Sequence, residues 1–106
     1  MARLIWTEPA LRDLESIAEV IALDKPDAAR RFVRKVFGSA ERLLAFPNSG
    51  RKPPETPGLP NREAVVRPCR IFYRTRDRDV FILYVMRSEQ LFREETLEER
   101  DPDPRA

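Results

Sequence analysis

No histidine occurs anywhere in this chain. Its absence removes the commonest general base, and the commonest zinc ligand, from any mechanism. Cysteine is reduced to Cys69, so no internal disulfide can form and a cytoplasmic location is expected. No apolar run approaches the ~20 residues of a membrane span. The opening segment Ala2-Arg3-Leu4-Ile5-Trp6 is too short for the apolar region of a signal peptide. No membrane partner is therefore expected. Metal-ligand spacing, a phosphate-cradling glycine loop and a nucleophile elbow are all missing, so neither metal nor cofactor is expected.

What remains is a 106-residue chain, 42% hydrophobic and 36% charged. That fits one soluble domain with a small core. Its charge is unevenly spread. Residues 1–88 hold 17 Lys/Arg against 11 Asp/Glu, whereas residues 89–106 hold 3 against 7. The chain divides accordingly into a basic body, 1–88, and an acidic tail, 89–106. A basic body points to a polyanionic or acidic partner; a merely solvated surface is the plainer alternative.

Leu4 and Trp6 alternate with polar neighbours, as a short strand requires. Thr7 is placed to cap a helix, with Glu8 and Pro9 in the first turn. Leu11, Leu14, Ile17, Ala18 and Ile21 recur at helical spacing, which predicts an amphipathic helix over 8–23. Lys25 precedes Pro26 and so avoids helical geometry. A second helix over 26–45 carries the stripe Ala29, Phe32, Val33, Val36, Phe37, Ala40, Leu43 and Leu44. The short break implies an antiparallel helical hairpin. Residues 46–61 hold five prolines and two glycines in sixteen positions, so they form a long loop, a type that is often functional. Three strands follow, over about 62–67, 70–76 and 80–86, the last two joined at Asp77-Arg78-Asp79.

The segment Val80-Phe81-Ile82-Leu83-Tyr84-Val85-Met86 is apolar throughout, so both of its faces must be covered. The helical hairpin covers one face. The other needs the tail, a second subunit or a bound partner. Leu91, Phe92 and Leu97 give the tail one apolar side. It is therefore expected to pack as a helix over that second face, near Arg70 and Arg87, and to screen the basic surface. Asp101-Pro102-Asp103-Pro104 should end any structure.

Arginines fixed on strands suit phosphate or carboxylate recognition, because guanidinium offers a rigid bidentate fork. Arg70 opens the central strand, with Arg67, Arg74 and Arg87 nearby on the sheet and Arg51-Lys52 in the Pro-rich loop. These six residues are the candidate target-binding set. The plainer alternative is a wet strand face. Glu55 and Glu63 are candidate acids or bases without a recognisable partner. Tyr73, Tyr84 and Cys69 read as packing residues before they read as catalysts.

Trp6-Thr7, Asp24-Lys25-Pro26-Asp27-Ala28-Ala29, Phe46-Pro47, Gly50-Arg51, Pro54-Glu55, Arg62-Glu63, Arg70-Ile71-Phe72-Tyr73-Arg74 and Val80-Phe81-Ile82-Leu83-Tyr84-Val85 stand in a particular order and spacing. In this the chain resembles the RelE/ParE superfamily of toxins from bacterial type II toxin–antitoxin systems, over about residues 3–90. The resemblance implies an α+β fold: an N-terminal strand and a helical hairpin packed on a small, twisted, mostly antiparallel four-stranded sheet. It implies a cognate antitoxin that binds the toxin directly, with Leu11, Leu14, Phe81, Leu83 and Val85 as candidate contacts, in an assembly that extends to higher-order hetero-oligomers. ParE-like members poison DNA gyrase, and the loop from Phe46 to Glu55 is nearer their pattern. RelE-like members cut mRNA on the ribosome. In that alternative Arg70, Arg51 and Arg87 would be the catalytic arginines. The position often held by histidine is Met86 here, and the RelE-like C-terminal tyrosine has only Phe92 near it. A degenerate toxin that retains only antitoxin binding is the third reading.

Overall fold

The computed structural model describes residues 1–101. The elements run β1 (Leu4–Trp6), α1 (Glu8–Asp24), α2 (Pro26–Ala45), β2 (Arg62–Val66), β3 (Cys69–Arg76), β4 (Asp79–Arg87) and α3 (Glu94–Arg100). The four strands form one sheet in the order β1-β4-β3-β2. β1 runs parallel to β4, whereas β2–β3 and β3–β4 are antiparallel. The α+β architecture expected from the sequence is the one observed.

A single residue makes the helical hairpin. Lys25 leaves helical geometry (φ −136°, ψ 88°) between α1 and α2, in keeping with the bias that a following proline imposes. Its N–H closes α1 on the Ile21 carbonyl, and its own carbonyl opens α2 through Ala29. Ala10, Leu14 and Ile17 of α1 and Ala29, Phe32, Val36, Ala40 and Leu43 of α2 are buried. Most of these pack on Val66, Cys69, Ile71, Tyr73, Val80, Ile82 and Val85 from one face of the sheet. Thr7 stands at the N-cap but does not cap with its side chain. Its hydroxyl and its N–H both donate to the Ile82 carbonyl, at 2.8 and 3.1 Å, which ties the end of β1 to β4.

β4 is internal to the sheet and explains its own composition. Phe72 lies opposite Tyr84 and Tyr73 opposite Ile82, so Leu83 is the extra residue of a bulge. Leu83 and Tyr84 both join a second core on the sheet's other face, with Phe72, Met86, Phe81, Phe92 and Leu97. The tail therefore does cover that face, as a helix. Leu97 of α3 is 1% exposed, and Phe92 packs on Phe72 with ring centroids 5.1 Å apart. Leu91 does not take part; it is 74% exposed.

Beyond Trp6, no strand among the described residues flanks β4 on the β1 side, and side chains take over its backbone bonding. Val85 N–H donates to Asp13 at 3.0 Å, and Arg100 donates to the Leu83 carbonyl at 3.2 Å while pairing with Asp13. Arg100 also lies 4.6 Å over the Tyr84 ring. The predicted terminator at Pro102–Pro104 lies outside the described residues.

Replacing Leu97 with alanine removes the tail's anchor and leaves a cavity over Phe72, Leu83 and Met86. A loss of about 2–4 kcal/mol in unfolding free energy is expected by urea denaturation; a loss within error would show that the tail is only loosely laid on the sheet.

Candidate functional site

The Pro-rich loop is held to the sheet from within. Arg51 forms an antiparallel bridge with Glu63, N–H to carbonyl in both directions at 3.0 and 2.8 Å. The Tyr73 hydroxyl donates to the Pro47 carbonyl at 2.7 Å and accepts the Gly50 N–H at 3.0 Å. Arg62 donates to the Gly50 carbonyl at 2.9 Å. Gly50 is required here, because a Cβ would sit 2.6 Å from both the Glu63 carbonyl and the Tyr73 hydroxyl.

Beneath the loop lies Glu63, whose side chain is 0% exposed. It stands on the same face of the sheet as Phe72, its partner across β2 and β3. Its two oxygens accept Nε of Arg51 at 2.6 Å and Nε of Arg70 at 2.5 Å. A buried carboxylate survives only with such compensation. Arg70 continues outward: Nη1 and Nη2 grip the two oxygens of Glu55 at 2.8 Å each. Its guanidinium sits 4.9 Å from the Phe72 ring centroid and 5.8 Å from that of Phe92, so it is stacked as well as paired.

A cleft of about 830 Å³ opens beside this network, lined by Arg51, Glu55, Val65, Arg67, Arg70 and Glu89, with Pro54, Pro68 and Ser88. Of the six sequence candidates, it brings together Arg51, Arg67 and Arg70. Arg87 flanks it and pairs with Glu89. Lys52 lies apart, with its ammonium on the Leu59 carbonyl at 3.3 Å. Arg74 is not part of this surface. Its side chain is buried beneath the tail, with an ion pair to Asp101 at 2.5 Å. From sequence alone Arg74 belongs to the target surface because it shares a strand with Arg70, and nothing local pairs it with Asp101.

The chemistry open to this cleft is ionic. Arg70 holds the Glu55 carboxyl below its ordinary range, and those bonds hold Arg70 above its own. Burial pushes the Cys69 thiol up to about 11, so it stays protonated near neutral pH and acts as a small core residue. Burial also raises the Tyr73 hydroxyl, which is committed to the loop. Among the described residues no group of three His, Cys, Asp or Glu converges on a metal position, and no helix is long and apolar enough to cross a membrane.

A second surface lies on the helical layer. Leu11, Ala18, Ala22, Val33 and Phe37 line a groove of about 780 Å³ between α1 and α2, rimmed by Glu15, Glu19, Arg30 and Arg34. Of the candidate antitoxin contacts, Leu11 is on this surface, at 42% exposed. Leu14 also lines the groove, though it is only 3% exposed, whereas Leu83 and Val85 are core residues and Phe81 is half-buried on the second face of the sheet. Their hydrophobicity is used within the chain, by the hairpin on one side and the tail on the other.

Residues 4–92 match the family described as ParE toxin of type II toxin-antitoxin system, parDE. The chain belongs to the ParE toxin family. Its function is accordingly that of the toxin of a type II toxin–antitoxin system. This ParE-family chain is 41% identical over 92 residues to the Y4kP protein of Sinorhizobium fredii, covering 83% of this chain and 90% of that one. It is 37% identical over 68 residues to toxin RelE2 of Caulobacter vibrioides, covering 64% and 73%. The fold is shared with a chain of the chromosomal ParDE TA system from P. aeruginosa, with a TM-score of 0.72 at 23% identity, over 84% of this chain and 98% of that one.

The Glu55–Arg70 pair gives this ParE chain a defined acid sensitivity. Glu55 has a folded-state pKa below its ordinary 4.5, so its contribution to stability is complete above that value and is lost as pH falls through the depressed one. The stability advantage of the native chain over Glu55→Gln should be constant near pH 6 and shrink below about pH 4.5. Urea midpoints of both proteins across that range check it; a gap that does not close in acid would show that Glu55 adds nothing through its charge.

Proposed function

We propose that this toxin inhibits DNA gyrase in the cytoplasm, and that a cognate antitoxin neutralises it by direct binding. The observation that carries the first part is the state of Arg70. Its Nε is on Glu63 and its Nη groups are on Glu55, so two carboxylates balance this one cation and leave no excess positive charge for a scissile phosphate. Nor is a proton-transfer pair at hand. The chain has no histidine, Tyr73 is tied to the loop, and Glu63 is sealed between two guanidiniums. These features favour a protein that acts by binding over one that cuts RNA. The cleft of Arg51, Arg67 and Arg70 is the surface that meets the target.

The antitoxin belongs on the helical layer. The groove between α1 and α2 is apolar at its floor and charged with both signs at its rim, which suits one face of an amphipathic helix. This leaves the cleft on a different layer of the molecule.

Ribosome-dependent mRNA cleavage is the second reading, and the likeness to toxin RelE2 is what favours it. Expression in a bacterial host separates the two. Growth arrest, an SOS response and trapped gyrase–DNA complexes are expected, and Arg67→Glu should weaken inhibition of supercoiling by about tenfold or more, since exposed charge steers and orients docking. Codon-phased cuts in cellular mRNA without gyrase trapping would replace this reading with the ribonuclease. A folded, antitoxin-binding protein that arrests nothing would mark a degenerate toxin.

A further inference from the structure

The cleft already shows what chemistry its central arginine accepts. Glu63 takes the Nε edge of both Arg51 and Arg70, which leaves the Nη groups of each guanidinium for other partners. On Arg70 those groups hold a carboxylate in a two-point fork, and that carboxylate is the chain's own Glu55. The two partners differ in freedom. Arg70 is 11% exposed and fixed from below by Glu63 and the Phe72 ring. Glu55 is 37% exposed and sits between Pro53-Pro54 and Pro57-Gly58, on a loop segment outside the sheet. The fork is built; its occupant can leave for water.

We propose that the Arg70 fork is a socket for an acidic side chain of a protein partner, which displaces Glu55 and takes its place. The charge around it selects that partner over nucleic acid. Arg51, Arg67 and Arg70 line the cleft with Glu55 and Glu89, and Glu63 lies directly behind. Positive and negative charges therefore nearly cancel, and a polyanionic backbone gains little where there is no excess of cations. Exchange of one carboxylate for another keeps the balance and keeps the planar two-point geometry that guanidinium prefers. Val65, Pro54 and Pro68 supply apolar walls for the rest of a peptide, and exposed Arg67 stands ready for a second acid. The socket rests on the reading of this cleft as the target-facing surface. Its test uses the isolated chain, so an inactive gyrase assay would remove gyrase as the target without touching the exchange.

The test is a titration of isotope-labelled full-length protein with three probes: a hexaglutamate peptide, inorganic phosphate and an eight-nucleotide single-stranded RNA. The Arg70 Nε–Hε and Glu55 carboxyl resonances are read by NMR. Hexaglutamate should move both in the native chain, with Glu55 Cδ shifting to its solvent-exposed position. In Glu55→Gln the peptide should bind about tenfold tighter, because no resident carboxylate competes, and adding Arg70→Lys should abolish that gain. Equal affinity for the two proteins would overturn the proposal. So would a gain confined to phosphate or RNA, which would make the socket a phosphate site. Should the variant fail to fold, the native titration decides: a Glu55 carboxyl that stays in its paired position at saturating peptide contradicts the exchange.

Discussion

The carboxylate of Glu63 is the charge on which this end of the molecule depends. Removed from water, a lone carboxylate costs several kcal/mol, and guanidinium partners must offset that cost. Two do so here, one from the loop and one from β3. The Arg51 backbone also bonds the Glu63 backbone, so the same residue closes the loop onto β2 through its main chain. From this one arrangement follow the path of the Pro-rich loop, the fixed aim of Arg70 and the walls of the cleft. Truncating Arg70, the more buried of the two, leaves a buried charge short of compensation, which in comparable pairs costs about 3–5 kcal/mol. Arg51 and Arg70 are thus held in place by the fold itself.

The two faces of the sheet carry two separate cores. The helical hairpin fills one face, and its outer groove between α1 and α2 remains open. The tail fills the other face, through Leu97 and Phe92, and Phe92 reaches the stack beneath Arg70. Within the described residues the acidic tail pairs Asp101 with Arg74 and Glu89 with Arg87. The first pair is buried and fixes α3 to the sheet. The second is exposed, and such pairs contribute little.

Periodicity made much of this legible before any coordinates. The stripes of α1 and α2 follow from apolar spacing, and the one-residue hinge follows from Lys25 preceding Pro26. The unbroken apolar run of β4 demanded cover on both faces, and the tail supplies it. Periodicity could not show which strand lies beside which. The parallel pairing of β1 with β4 joins residues 4–6 to residues 80–82, and nothing local encodes it. The same holds for side-chain partners far apart in sequence: Arg70 with Glu55, Arg74 with Asp101, Arg100 with Asp13. Hence Arg74 reads as surface from sequence alone, and Leu83 and Val85 as partner contacts, although all three side chains are buried. Glu63 is recognisable in the sequence as an acid, yet its role depends on the register that places it opposite Phe72 and within reach of Arg70.

The central claim, that Glu63 organises loop and cleft together, is tested most directly by native-state hydrogen exchange on Glu63→Gln. An amide at this position cannot compensate two guanidiniums. The account predicts that the Gly50, Arg51 and Glu63 amides exchange at least about tenfold faster than in the native chain, while α1 and α2 amides measured under the same conditions keep their protection. Unchanged protection at Gly50 and Arg51, with the variant otherwise folded, would contradict it.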